Sequence, residues 1–187
     1  MSAAILVALL SLAQPVHAEP VVSVGTGMGP MGLDGGGILG GTLRLGYDLG
    51  ALRPFVGGNW SQGTITLKDE DGDERDKQKG NLWSAVAGAR LAFATDGDAF
   101  PYLIGGAHLL HASAEIWEDE FTFTNGFGAF GGLGADAHLS EVVDLGVEVV
   151  YLRSFGSEIV VDDEEITGHL GWVYSDIHLT IRFGRDS

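Results

Sequence analysis

Beyond residue 18 the apolar side chains of this chain recur at every second position. That is the period of a strand with one apolar face, whereas a helix packing on a core repeats near 3.6. In residues 39–49, Leu43, Leu45, Tyr47 and Leu49 share one face, and Thr42, Arg44, Gly46 and Asp48 share the other. From Phe121 to Leu139 one face carries Phe121, Phe123, Phe127, Ala129, Leu133, Ala135, Ala137 and Leu139, so the register is expected to hold almost without a slip. After residue 18 no unbroken apolar stretch reaches the roughly 18 residues of a membrane helix. If the chain crosses a membrane, it must do so as strands.

The same alternation marks eight runs: Val21–Gly29, Leu39–Leu49, Leu52–Leu67, Leu82–Ala94, Phe100–Trp117, Phe121–Leu139, Val142–Phe155 and Leu170–Phe183. Their connections alternate in length. Gly50-Ala51, Thr95–Asp98 and Ser140-Glu141 are tight turns, while Pro30–Gly37, Lys68–Asn81 and Ser157–Thr167 are expected as longer loops, with Glu118–Glu120 a short exception. An even number of strands with turns at one end and loops at the other is the pattern of an up-and-down transmembrane barrel. The expected fold class is therefore all-β, an eight-stranded antiparallel up-and-down transmembrane β-barrel over residues 19–187.

A soluble barrel would show the same period with its apolar face turned inward. Three features favour an apolar exterior. All three lysines, Lys68, Lys77 and Lys79, fall in one expected loop, yet water-facing strands of a soluble barrel carry lysine along their length. The polar face is rich in Gly, Ser and Thr, which fit a narrow lumen and cover an outer surface poorly. Aromatic residues gather at both strand ends, with Trp60, Trp83, Trp117, Phe121, Phe123 and Phe155 toward the loops and Tyr47, Phe93, Tyr102 and Phe183 toward the turns. Two such belts match the interfacial girdles of a membrane barrel.

A formal net charge of −16, with only 10 Lys plus Arg, argues against nucleic acid or another polyanion as partner. The chain has no cysteine, so neither a disulfide framework nor a thiolate metal site is available. Residues 1–18 carry the apolar run Ala3–Leu10 and end in Val16-His17-Ala18, whose small residues suit a signal peptidase, although no basic n-region precedes the run. A signal peptide over 1–18 and a mature chain starting at Glu19 are expected.

The strand-turn-strand segment GTLRLGYDLGALRPFVGG (41–58), the segment FPYLIGG (100–106) and the last strand HLTIRF (178–183) carry a resemblance. In these the chain resembles the small outer-membrane barrel family that includes the OmpA-like transmembrane domain and OmpX-type proteins, over about Val21 to Phe183. The resemblance implies export to the bacterial outer membrane, contact with outer-membrane lipid and lipopolysaccharide, and a final strand read by the barrel-insertion machinery. A monomer without cofactor is expected, with no peptidoglycan-binding domain expected after the barrel.

His111, Ser113 and Glu115 share one face of the fifth run, and are distantly similar to the His-x-Ser pair with a Glu of barrel lipid A deacylases. Ala114 stands where that family continues with Asn. The acidic runs Asp69–Glu74 and Asp162–Glu165 offer hard oxygen ligands for divalent cations but lack the complete EF-hand spacing, since Gly80 stands where its last Glu belongs. A solvated loop is the simpler reading of each, and no resident metal or catalytic residue is assigned.

The candidate site is instead the lumen. Arg44, Arg90, Asp136, Glu148, Asp176 and His178 lie on polar faces at similar depth, and eight strands leave room only for side chains to meet across the interior. A network of paired charges and a closed lumen are expected. The function expected is a non-enzymatic role in envelope integrity or surface interaction through acidic loops; the alternatives are a lipid A-modifying hydrolase and a small solute channel.

Overall fold

The computed structural model describes residues 18–31, 36–68, 74–93, 97–116, 119–155, 157–161, 164–168 and 171–184, with side chains outside 30–38, 63–80, 112–125 and 157–172. Residues 1–17 of the expected signal peptide, the acidic residues 69–73 and 162–163, and Trp117, Phe121, Phe123, Ser113 and Glu115 as side chains lie outside that description. No described helix is long and apolar enough to cross a membrane.

The described strands are β1 (Glu19–Met31), β2 (Gly36–Asp48), β3 (Leu52–Lys68), β4 (Glu74–Ala92), β5 (Ala99–Ile116), β6 (Asp119–His138), β7 (Val143–Phe155), β8 (Ser157–Val161), β9 (Glu164–Gly168) and β10 (Gly171–Arg182). Each of β1 to β6 pairs antiparallel with its successor, β7 pairs with β10, and β10 pairs with β1. Those eight strands close into a barrel. Closure satisfies the backbone amides between strands and leaves no edge, which is what lipid demands of a sheet.

Alternation decides which side chains face out. Leu45, Val147 and Ile177 are 51 %, 51 % and 57 % exposed, and β7 alternates between buried and exposed positions from Asp144 to Phe155. Trp60, Trp83 and Phe155 point outward near the loops, and Tyr47, Phe93 and Phe183 near the turns. Tyr102 corrects the expected turn-side girdle: it shares the face of Ile104 and is buried in the lumen, 2 % exposed. Gly134 on β6 makes its place, since a Cβ there would stand 2.4 Å from the Tyr102 ring. Gly50 takes φ +80 in the turn between Leu49 and Leu52, the positive φ that a first central turn residue of this kind requires.

Three expectations are revised at the loop end. The segment 74–81 is strand, continuing the β3–β4 ladder to Lys68↔Glu74, although it was expected as loop. It contains no apolar residue, so a period-two pattern had nothing to mark, and pairing with β3 supplies the strand. Ser157–Thr167, also expected as loop, holds most of the β8–β9 hairpin, which ends at Gly168 and pairs onto β6 at Thr122↔Val160 and Phe123↔Ile159. The β5–β6 register shifts by one residue between Leu110 and Ala112, leaving His111 against both Thr124 and Asn125. The alternation of apolar residues did not reveal this bulge, because it lies between two stretches that are each in phase.

Candidate functional site in the barrel lumen

The lumen has two layers. In the loop half, Leu82, Val86, Ile104, Leu110, Phe130, Val150, Leu152 and Tyr174 form an apolar core. An eight-stranded barrel is narrow enough for such side chains to touch across it, so this half is packed like a protein interior. The expectation of a polar inner face rich in small residues is corrected to that extent. Phe55 closes the layer from below, its ring 6.2 Å from Phe130 and 5.2 Å from the Arg44 guanidinium.

Beneath it, Glu148 is fully buried and accepts from three donors. Arg44 Nη2 donates to Oε1, and Arg90 Nη2 and Tyr102 OH reach Oε2 at 3.1 and 3.2 Å. These groups come from β2, β4, β5 and β7, so one carboxylate ties four strands across the barrel. Arg90 lies over the Tyr102 ring, 4.8 Å from its centroid, and also approaches Asp136 at 3.5 Å. Asp136 in turn meets His178 Nε2 at 3.0 Å and accepts from Arg53 Nη1 at 3.2 Å. His178 Nδ1 lies 2.8 Å from Asp176, which accepts from Thr42 Oγ1 at 2.8 Å. All six residues named from the sequence therefore lie in one connected set of interior contacts.

The set extends further toward the turns than those six. Arg53 also donates to Asp48 at 2.7 Å, Arg182 binds Asp144 and approaches Asp48 at 3.4 Å, and His138 Nδ1 lies 2.7 Å from Asp144. The alternation contained the signal for these too, since Asp48 shares a face with Arg44, Asp144 with Glu148, and Arg182 with His178. Their positions next to turns hid them among residues expected to be solvated.

Charge balance follows from the geometry. His178 has a carboxylate oxygen at each ring nitrogen, an arrangement in which both nitrogens donate only when the ring is protonated. Four arginines, Arg44, Arg53, Arg90 and Arg182, with His138 and His178, face the five carboxylates of Asp48, Asp136, Asp144, Asp176 and Glu148. Enclosed charges persist only when paired in this way. A cavity of about 260 Å³ lies at the turn end, between Asp48, Arg53, Arg90, Phe100, Asp136 and Arg182. His111 is exposed on the outer wall beside Trp83, and the positions of Ser113 and Glu115 as side chains are not described.

No family model matches the chain, and no curated protein matches it in sequence. Solved structures resemble it in fold. Neisserial surface protein A aligns over 89% of this chain and 97% of its own at 14% identity, with a TM-score of 0.63. OprG from Pseudomonas aeruginosa aligns over 90% of this chain and 97% of its own at 12% identity, TM-score 0.65. A major outer membrane protein from Thermus thermophilus aligns over 89% of this chain and all of its own at 14% identity, TM-score 0.65. With the apolar outer wall and the closed antiparallel ring, these likenesses give the chain the fold of the small eight-stranded outer-membrane β-barrels.

Proposed function

We propose that this chain is a non-conducting, non-enzymatic barrel of the bacterial outer membrane, acting in envelope integrity or surface interaction through the acidic segments of its loop end. The observation that carries the reading is the filled lumen, in which Glu148 holds Arg44 and Arg90 directly beneath the apolar layer of Phe55, Phe130 and Ile104. A stable ion path would need that layer wetted and those pairs parted. Of the interior carboxylates, Glu148, Asp136, Asp144 and Asp48 are engaged by arginines and Asp176 by Thr42 and His178. Outer-membrane lipid and lipopolysaccharide around the barrel, the insertion machinery at HLTIRF (178–183), and divalent cations between Asp69–Glu74 and Asp162–Glu165 are the proposed partners of a monomer. Planar-bilayer recording tests the reading. Wild-type protein is expected to give no steady conductance, and large, stable openings unchanged in Glu148→Ala would replace it with a channel.

A further inference from the structure

The outer wall is apolar along β7 except at Arg153. This residue is exposed on the face that also carries Val147, Val149, Tyr151 and Phe155, two positions inside the loop end of the strand. It thus sits within the loop-side aromatic belt. Its cross-strand neighbours are Ala129 on β6 and Gly171 on β10, which have no group to pair with a cation. Among the described residues no side chain accepts a hydrogen bond from its guanidinium. At the depth of the aromatic belt a cation costs little, and the anionic headgroups of the leaflet stand within its reach.

The surface beside Arg153 is shaped as well as charged. Its rung continues through Ala129 and Ala107 to Ala87, and the adjacent rung runs through Gly131 and Gly105 to Ala89. Leu109 and Phe127 rise on the loop side of these rungs and Leu103 and Leu133 on the turn side, all four exposed. The result is a shallow trough that extends roughly 10 Å across three strands, with about 20 Å between its two walls at the usual strand spacing and rise. Arg153 stands at one end of it.

We propose that Arg153 and this trough form a site for a phosphorylated glycolipid of the outer leaflet, of the lipid A type. The guanidinium takes a sugar phosphate in a paired hydrogen bond, Tyr151 and Phe155 offer ring faces to the sugar, and the trough takes acyl chains. A lipid with a sugar fits better than a glycerophospholipid because the charge is flanked by aromatic rings on its own strand. The site deepens the reading above, which names lipopolysaccharide among the partners, and it rests on that reading in that the loop end faces the outer leaflet.

Native mass spectrometry of the detergent-refolded barrel tests it, with bis-phosphorylated lipid A, chemically dephosphorylated lipid A and phosphatidylglycerol as probes. Wild type is expected to retain one lipid A and to hold the other two more weakly. Loss of a charge-assisted contact in Arg153→Ala should weaken lipid A retention about tenfold, with partial recovery in Arg153→Lys. Ala129→Leu, which fills the trough and keeps the charge, should weaken it too. A heat-dependent gel shift verifies that each variant is folded. Equal retention of lipid A by wild type, Arg153→Ala and Ala129→Leu would overturn the site, as would equal retention of phosphatidylglycerol. Insertion of wild type into liposomes separates the two readings: a barrel that inserts without retaining lipid A fails the site alone, and one that does not insert fails the membrane reading as well.

Discussion

Glu148 shows how much one side chain can hold in a narrow barrel. Its two oxygens receive Arg44, Arg90 and Tyr102 from three other strands, all within the enclosed lumen. Removing it leaves two guanidiniums desolvated with part of their compensation gone. Glu148→Ala should therefore lower stability by about 3–5 kcal/mol, and Arg44→Ala, which strands the carboxylate, by a similar amount. Glu148→Gln keeps an acceptor and should lose less than either. Urea unfolding of the liposome-refolded barrel reads these differences, and losses below about 1 kcal/mol would mean that the pairs are hydrated as on a surface. At this scale the sequence was partly legible. Arg44, Arg90, Asp136, Glu148, Asp176 and His178 stood out as charges on polar faces, whereas the inward turn of Tyr102 could not be read from its place near a strand end. An aromatic at that position suits a girdle or a lumen equally, and the seat made by Gly134 lies on a different strand.

The strands divide by what stabilises them. Where a strand meets lipid, its outward positions must be apolar, and alternation then marks the element in the sequence; β2, β7 and β10 were legible for that reason. Beyond the bilayer no such demand operates. Segment 74–81 and the β8–β9 hairpin are built by backbone pairing with neighbours, and their sequences carry no apolar period to announce it. The same division predicts where a charge is tolerated. Val147 lies mid-strand on β7, on a rung with Ala135 and Ile177, and faces outward. Val147→Arg should cost roughly 2–4 kcal/mol of stability in lipid. Refolding into liposomes with no measurable loss would place this face in water and turn the barrel inside out. Val147 and Arg153 are both outward positions of one strand and differ chiefly in depth, which is why a cation stands at one and is costly at the other.

At the scale of the whole molecule, everything depends on the closing ladder between the first and last strands. β1 begins at Glu19, pairs with β2 from Glu19↔Asp48 onward and with β10 from Val21↔Arg182 to Met28↔Ser175. Ser23 also bonds Thr180 across that seam at 2.7 Å inside the lumen. None of these contacts uses a residue before Glu19. Cleavage after Ala18 would thus leave every rung of the closure in place, and N-terminal sequencing of the membrane-extracted protein is expected to begin at Glu19. Deletion distinguishes the closing strand from the segment before it. A chain lacking residues 1–18 should refold into liposomes with the heat-dependent gel shift of a closed barrel. A chain lacking residues 1–26 loses most of the β1 ladders, so that β2 and β10 present unpaired amides to lipid with nothing to satisfy them. It should fail to insert and should aggregate. Equal refolding of the two deletions would mean that β2 and β10 can meet directly, and that closure does not require the strand placed between them.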